Sequence, residues 1–446
     1  MHRRSLLSTT GVMCGALVGG CSGRLQSVIS GDVTDGPDRW SQHGYDPAKT
    51  NWIPDGAGPT DGVSIRWTNA DVNSGATVLG RDDLVYSRST TDPVTEGGNP
   101  IPVSTTPSGA ERWAMPEIQG TVFAIYGDEI LVRTREDDWT IGNEILGLDL
   151  DDGSVNWSIP VSSTSVVTPP GRSYWSPTLR ADQAFAPTNA GITCLDVANQ
   201  RIEWEASLTE DKRTRDMENA AWITPAVTDE HVITYNQVGG QERCSVCTID
   251  RKTGALDAVI ALDESEEMEF ALMQRYPVVG DNHMYASVMD GDGNSRYYCL
   301  DPFTHETKWW TDLGKRWYTT NSPAYGDDRL IIVYGSPDGA DAVAALNPAD
   351  GSLLWTVEQA TFSWSGVPAI LGDHVYVVYG EYILAIEANI GEVSWDFSIT
   401  EWAIQEGLSE RALADFWNQP SGPVFLDDTM YAWGNAGSGM IAFEST

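Results

Sequence analysis

The chain has 446 residues and a formal net charge of −37, from 64 acidic and 27 basic side chains. This charge excludes a protein that binds nucleic acid by neutralising phosphate groups, and one held to anionic lipid by a basic patch. Hydrophobic residues make up 41% of the chain and include 18 Trp, so we expect a large folded core.

Lysine is scarce among the basic residues, of which five are Lys and 22 are Arg. One interpretation is a well-solvated surface that resists aggregation. The other is a protein from a high-salt environment, because acid excess with few lysines resembles the composition of proteins from halophilic archaea. Molar salt screens charges to within about 3 Å and so removes their mutual repulsion.

The N-terminus predicts an export signal with a lipid attachment site. Arg3 and Arg4 precede an uncharged apolar stretch, residues 6–20, that is too short for a membrane span. A twin-arginine pair before such a stretch resembles a Tat signal, which exports folded proteins. Val18-Gly-Gly-Cys21 resembles a lipobox, so we expect Cys21 to carry lipid. The alternative is an ordinary secretory signal followed by an incidental Cys.

Three regions are expected: a signal peptide at 1–20, a tether and lead-in segment at 21–60, and a folded domain at 61–446. The tether is rich in Gly, Asp, Pro and Ser. The domain consists of one repeat, in which a small residue, an aliphatic residue and an acid or Asn precede a turn and a Trp, as in Gly147-Leu-Asp149 with Trp157. Adjacent copies recur about every 40 to 50 residues, a period typical of propeller blades or solenoids.

Each copy is expected to fold as four strands, A to D. Strand A carries a Pro such as Pro323, an acidic turn leads to strand B, strand C ends at the aliphatic-acid pair, and strand D ends at the Trp. Seven copies are complete, and residues 422–446 supply strands A, B and C of an eighth. Val63–Trp67 is a D strand with no A, B or C before it. Joining the two closes an eighth blade and removes an open strand edge.

The pattern Ala-Leu-Asp-x-x-x-Gly-x-x-x-Trp resembles the repeat of PQQ-type (quinoprotein) β-propellers. This family includes quinoprotein alcohol dehydrogenases and the BamB type of outer-membrane assembly lipoprotein, and residues 39–46 are similar to the segment ahead of its first blade. The resemblance covers residues 39–446. It implies an all-β fold, an eight-bladed propeller of four-stranded antiparallel blades. It leaves activity open, because the repeated Trp, Gly and Asp are packing and turn residues.

The candidate chemical groups do not form a site by their spacing. The resemblance implies an adjacent Cys-Cys in the alcohol-oxidising members, which this chain lacks. Cys244 and Cys247 form a lone C-x-x-C, but residues three apart on a strand point to opposite faces. His231, His283 and His374 occupy equivalent A-to-B turns of different blades, which are spread around the ring. We therefore expect no catalytic residue, no metal site and no cofactor, with PQQ in the central funnel as the alternative.

Aromatic residues precede most A strands, and one lies in a long B-to-C insertion. The D-to-A and B-to-C loops share one face of a propeller, so these residues should ring that face, opposite the His turns. A short capped helix is also expected at residues 409–417, in the last D-to-A connection. Either the rings pack between blades and plug the funnel, or they form an exposed face that binds peptide, glycan or another ligand. The residues of this candidate face are Trp139, Trp175, Trp222, Tyr276, Tyr318, Trp364 and Trp417.

The sequence as a whole favours an exported, lipid-anchored binding or assembly module on the outer side of the cell membrane. Its expected partners are protein, peptide or glycan at the cell surface, with membrane contact through the lipid on Cys21 alone and no nucleic acid. Two alternatives stay open, a PQQ-dependent oxidoreductase and a cell-surface glycan-binding protein. Bound quinone would separate the oxidoreductase from both kinds of binding protein.

Overall fold

The computed structural model describes residues 40–446 except 43, 70–78, 81, 90–99, 138–139, 163, 166–175, 210–220, 238–244, 262–270, 273–275, 290–294, 305, 313–321, 335–340, 360–365, 380–381, 407–421, 427 and 434–438. These residues form an all-β fold of eight antiparallel blades, as the sequence predicts. The A strands of adjacent blades contact one another, so they surround a central axis and the D strands lie at the rim.

Two strands come before the first blade, β1 (Trp52–Ile53) and β2 (Val63–Asn69). Blade 1 contains β3 (Leu79–Gly80), β4 (Leu84–Ser89), β5 (Pro100–Thr105) and β6 (Glu111–Ala114). Blade 2 contains β7 (Gly120–Tyr126), β8 (Glu129–Asp137), β9 (Thr140–Asp149), β10 (Val155–Pro160) and β11 (Thr164–Ser165). Blade 3 contains β12 (Thr178–Arg180), β13 (Gln183–Pro187), β14 (Gly191–Asp196) and β15 (Arg201–Ser207). Blade 4 contains β16 (Ala221–Trp222), β17 (Ala226–Val227), β18 (His231–Gln237), β19 (Ser245–Asp250) and β20 (Leu256–Ala261).

Blade 5 contains β21 (Ala271–Leu272), β22 (Val278–Gly280), β23 (His283–Met289), β24 (Ser295–Leu300) and β25 (Thr307–Asp312). Blade 6 contains β26 (Ala324–Gly326), β27 (Arg329–Tyr334), β28 (Asp341–Leu346) and β29 (Leu353–Gln359). Blade 7 contains β30 (Ala369–Leu371), β31 (His374–Tyr379), β32 (Tyr382–Glu387) and β33 (Val393–Ser398), with β1 beside β30. Helix α1 (Ile399–Gln405) follows, and blade 8 contains β34 (Val424–Leu426), β35 (Thr429–Trp433), β36 (Met440–Ser445) and β2.

The eighth blade closes the ring with strands from the two ends of the propeller. β2 pairs antiparallel with β36, and the register places Val63 opposite Ser445 and Trp67 opposite Ala442. This pairing confirms the predicted closure, because the N-terminal strand covers the edge that β36 would otherwise expose.

Inner and outer strands differ in their apolar pattern because of what covers them. In β27, Leu330 to Tyr334 are buried in succession, since both faces of an inner strand contact neighbouring blades. In β10, exposed and buried residues alternate around Trp157 and Ile159, because one face of this outer strand meets solvent. The core therefore consists of several apolar layers between blades.

The repeated Trp residues join one blade to the next. The indole N–H of Trp204 donates to the carbonyl of Arg251 in the next blade (3.0 Å), and Trp355 donates in the same way to Ala388 (2.8 Å). Trp355 also lies against Gly391, where an added Cβ would come within 2.7 Å of the ring and where φ is 74°. Only Gly satisfies both the turn and this close approach, which explains why a turn Gly accompanies the Trp in most copies.

The junction between blades 4 and 5 is built differently, because Ala258 occupies the Trp position. The Thr248 hydroxyl donates to the carbonyl of Pro302 (2.8 Å), the acceptor that an indole would otherwise use. Across the same junction, the rings of His231 and Phe303 lie 4.4 Å apart. Groups from both blades therefore replace the missing indole.

The described residues include one α-helix, α1, which follows blade 7. Ser398 caps it, since the Glu401 amide donates to the Ser398 hydroxyl (3.2 Å), and Ile399 and Ala403 are its buried residues. The helix expected at 409–417 lies outside the described residues. No helix in the described part of the chain is long and apolar enough to cross a membrane.

Candidate functional site

The centre of the propeller contains the chain's own N-terminal segment. We call residues 40–53 the axial segment. Its backbone carbonyls accept hydrogen bonds from A-strand amides of six blades, in the order in which the blades follow along the chain. The pairs are Gly80 N to Trp40 O (3.0 Å), Ile125 N to Ser41 O (2.9 Å), Val227 N to Pro47 O (2.7 Å), Val279 N to Ala48 O (3.0 Å), Tyr325 N to Thr50 O (2.8 Å) and Ile370 N to Asn51 O (2.9 Å).

Blade 3 is contacted by a side chain of the axial segment instead of its backbone. The Gln42 amide group donates to the Leu179 carbonyl (3.0 Å), and its oxygen accepts from the Leu179 amide (3.1 Å). The axial segment therefore bonds to blades 1 to 7 in succession. Each bonded residue is the last or the last but one of its A strand, so the segment closes the A-to-B end of the axis.

The axial segment lies within residues 21–60, which the sequence predicts to be a tether and lead-in segment. It is bonded to seven blades, and Pro59 accepts a hydrogen bond from the Trp395 indole (2.8 Å). Its composition is typical of loops because the curved path needs unusual backbone conformations, with φ of 65° at Lys49 and 54° at Asn51. Such conformations persist where the surrounding contacts hold them.

Two opposite charges lie buried in the axial segment. Asp46 is 3% exposed and Lys49 is fully buried. Asp46 accepts hydrogen bonds from the amide (3.0 Å) and hydroxyl of Thr50, and Lys49 Nζ lies 3.5 Å from Gln42 Oε1. Burial raises the pKa of Asp46 to about 6 and lowers the pKa of Lys49 to about 7, while the attraction between the two charges opposes both shifts. Each charge is therefore tolerated in the interior because the other is present.

Two of the seven predicted aromatic residues fall among the described residues, and both are buried. Trp222 and Tyr276 are each 0% exposed. Trp222 lies in a core cluster with Phe185, and Asn51 of the axial segment donates to the Tyr276 hydroxyl oxygen (3.1 Å). At these two positions the rings pack inside the propeller and add nothing to an exposed face.

The remaining predicted site residues lie outside the described residues: Trp139, Trp175, Tyr318, Trp364, Trp417, Arg3, Arg4 and Cys21. The three His residues begin the B strands of blades 4, 5 and 7, in the separate turns that the sequence predicts. Cys247 is buried, and Cys244 is not among the described residues. Within the described ranges, no three His, Cys, Asp or Glu side chains lie close enough together to hold a metal ion.

Eight four-stranded blades, Trp residues that join them and a last blade completed by an N-terminal strand define a PQQ-type β-propeller. The chain belongs to the family described as outer membrane protein assembly factor BamB, whose model matches residues 24–286 and 267–446. No curated protein matches the sequence.

Solved structures with this fold include a BamB protein and two dehydrogenases. BamB from Moraxella catarrhalis is 15% identical with a TM-score of 0.54, over 86% of this chain and 100% of that chain. A europium-containing methanol dehydrogenase is 12% identical with a TM-score of 0.54, over 94% and 92%. The quinohemoprotein alcohol dehydrogenase ADHIIG from Pseudomonas putida HK5 is 12% identical with a TM-score of 0.57, over 94% and 81%. At these identities the likeness shows the fold alone.

A quinone cofactor such as PQQ carries carboxylates and would need cationic donors near the axis. Of the described cations there, Lys49 is attracted to the buried Asp46 carboxylate, and Arg180 forms an ion pair with Asp229. Arg133 has an Nη1 atom without a hydrogen-bond partner, but its other nitrogens donate to backbone carbonyls of β9 and beyond β10 (3.1 and 2.8 Å). Its guanidinium group therefore points from strand B towards the rim. The described residues around the axis do not fit a PQQ site.

Proposed function

We propose that this protein is an exported, lipid-anchored binding or assembly module. The observation that carries the proposal is the axial segment, which occupies the A-to-B end of the axis and bonds to seven blades. Because the chain itself occupies this part of the axis, contacts with partners are left to the loop faces and the rim. Membership of a family described by an assembly factor supports a protein as the partner.

The proposal includes an anchor at Cys21 and an export signal that contains Arg3 and Arg4. Residues 22–39, 18 in number, lie between Cys21 and the first residue of the axial segment. At full extension they span at most roughly 60 Å, so the propeller can stand clear of the membrane surface. Removal of residues 1–20 takes away two arginines and changes the net charge to −39, which disfavours contact with anionic headgroups.

The Cys21→Ser variant is expected to leave the membrane fraction, because it lacks the thiol that would carry the lipid. Cys14→Ser is the matched control, since Cys14 lies in the same apolar stretch but does not follow Val18-Gly-Gly. Fractionation with immunoblotting measures attachment, and mass spectrometry measures the lipid. Equal amounts of both variants in the membrane fraction would contradict the anchor.

Purified protein in molar salt is expected to show no quinone absorbance and to retain no added PQQ, because the charges of the described axial cations are offset by the carboxylates of Asp46 and Asp229. Equilibrium dialysis against PQQ with Ca²⁺ measures retention, and dye reduction with an alcohol measures turnover. Stoichiometric retention of PQQ would overturn the binding-module proposal in favour of the oxidoreductase.

A further inference from the structure

Two positions recur where one blade packs on the next, and one junction has aliphatic residues at both of them where four others have polar residues. Where a Trp packs on the turn Gly of the next blade, the residue before the Trp and the residue before the Gly both border the junction. At four such junctions both residues are polar: Arg66 and Ser108, Arg112 and Asp152, Glu203 and Thr253, Lys308 and Asp350. At the junction of blades 6 and 7 both are aliphatic, Leu354 and Ile390.

These two side chains are part of a larger exposed apolar surface. Leu354 is 48% exposed and Ile390 is 54% exposed, and next to them Leu353 is 55% and Val393 is 40% exposed. The two turns are neighbours because Trp355 packs on Gly391. We call Leu353, Leu354, Ile390 and Val393 the 6–7 apolar patch. The other large hydrophobic side chains that the described residues expose lie in four separate elements: Val155, Ile202, Trp310 and Ile404.

Single exposed aliphatic residues are common on protein surfaces, but a group at one place marks an interaction site. The grouping matters more here because the chain has a net charge of −37 and has polar residues at the positions of Leu354 and Ile390 in the four other Trp–Gly junctions. The patch is therefore an exposed apolar surface on a protein with a large negative net charge.

Exposed carboxylates lie in the two turns that carry the patch. Asp350, Glu387 and Glu392 are exposed in the same two C-to-D turns. The cation bonded beside Ile390 is Arg329, which donates to Asn389 and is neutralised by an ion pair with Asp327. A ligand for this surface must therefore combine aliphatic groups with positive charge.

We propose that the 6–7 apolar patch docks a segment of a partner protein that carries aliphatic side chains flanked by Lys or Arg. This inference rests on the proposed binding-module function and names its partner class. A second copy of this chain fits poorly, because a two-fold contact would place acidic rim against acidic rim. A membrane surface fits poorly as well, because anionic headgroups are repelled by the same carboxylates.

The test uses a fluorescent octapeptide with a central Leu-Ile-Leu-Val and two Lys at each end, and measures its affinity for the full mature chain by anisotropy. The Leu354→Lys and Ile390→Asp double variant gives this junction the residue pair found between blades 5 and 6, Lys308 and Asp350. Val155→Lys is the matched control, because Val155 is 52% exposed but isolated on β10. We expect the peptide to bind the parent and the control equally, and the double variant at least about tenfold more weakly.

Two further measurements distinguish a basic partner segment from an acidic segment and from a second copy of this chain. A peptide with the same core and Glu at both ends is expected to bind the parent at least about tenfold more weakly, since its charges face the acidic rim. Sedimentation should show a monomer for parent and double variant alike. Equal peptide affinity for all three proteins, no binding by the folded parent, or a dimer that the double variant abolishes would overturn the proposal. None of these results depends on Cys21 or on PQQ, so failure here is distinguishable from failure of the proposed function.

Discussion

Replacing Lys49 with Met is expected to lower the free energy of unfolding by about 3–5 kcal/mol, because Asp46 stays buried without its opposite charge. Both residues belong to the axial segment and are buried, so solvent water does not replace the ammonium group beside Asp46. Thermal and denaturant unfolding in molar KCl measure the change. Lys252→Met is the matched control, because Lys252 is exposed and its replacement should change stability by less than about 0.5 kcal/mol.

Adding Asp46→Asn to Lys49→Met is expected to restore most of the lost stability. The double variant buries no unpaired charge, and Asn can still accept from the Thr50 amide and donate to the Thr50 hydroxyl. A double variant as unstable as Lys49→Met alone would show that lost packing, and not the buried carboxylate, is the cause.

The effect of Lys49→Met should also depend on pH in a defined direction. Burial already raises the pKa of Asp46 from 3.8 to about 6, and loss of the Lys49 charge removes an interaction that lowers it. A carboxyl group whose folded pKa exceeds its unfolded pKa binds protons more tightly when folded, so its protonation stabilises the fold at low pH and this stabilisation is lost as the pH rises through the folded pKa. The destabilisation, measured against the double variant, should therefore shrink between pH 8 and pH 5.

Stability of the parent chain should rise steeply from dilute buffer to molar KCl. The mature chain is expected to hold 39 net negative charges in a compact fold, and their repulsion favours unfolding when salt is low. Molar salt screens this repulsion to within about 3 Å and also strengthens apolar burial. Thermal unfolding over a series of KCl concentrations measures the effect.

A charge-neutralised variant separates screening from the general effect of salt on apolar burial. About ten exposed carboxylates, such as Asp61, Glu117 and Glu230, are replaced with Asn or Gln. Asp250 should be kept, because it accepts from the Thr253 amide (2.8 Å) and so shapes a blade turn. The variant should gain less stability with salt than the parent. If both gained equally, charge repulsion would not be the cause and the high-salt interpretation of the composition would fail.

The blades, their number and their closure could be predicted because the signals for them are local and repeated. A Trp, a turn Gly and an acid or Asn recur in most copies, and the Trp residues make the same kind of contact, as Trp204 and Trp355 do with the blades that follow them. The sequence shows which copies depart from this pattern, but it does not show which contacts replace the missing residues. Ala258 shows where an indole is missing, yet Thr248 and Pro302, which replace its hydrogen bond, are 54 residues apart.

The site residues depend on contacts that no local pattern reports. The sequence interpretation groups the axial segment with the tether, and its role appears only once the inner amides of seven strands surround it and need acceptors. Leu354 and Ile390 stand 36 positions apart and become neighbours only because Trp355 packs on Gly391. Trp222 looked like a candidate for an exposed face until the adjoining blades buried it.

The repeating all-β fold is therefore encoded locally, since short-range strand, turn and Trp signals specify one blade and repetition specifies the ring. What fills the axis, which aromatic rings are buried and which aliphatic side chains meet across a junction depend on the assembled ring. The physical reason is that burial depends on the neighbours that a residue acquires when the ring closes, and those neighbours come from distant parts of the chain.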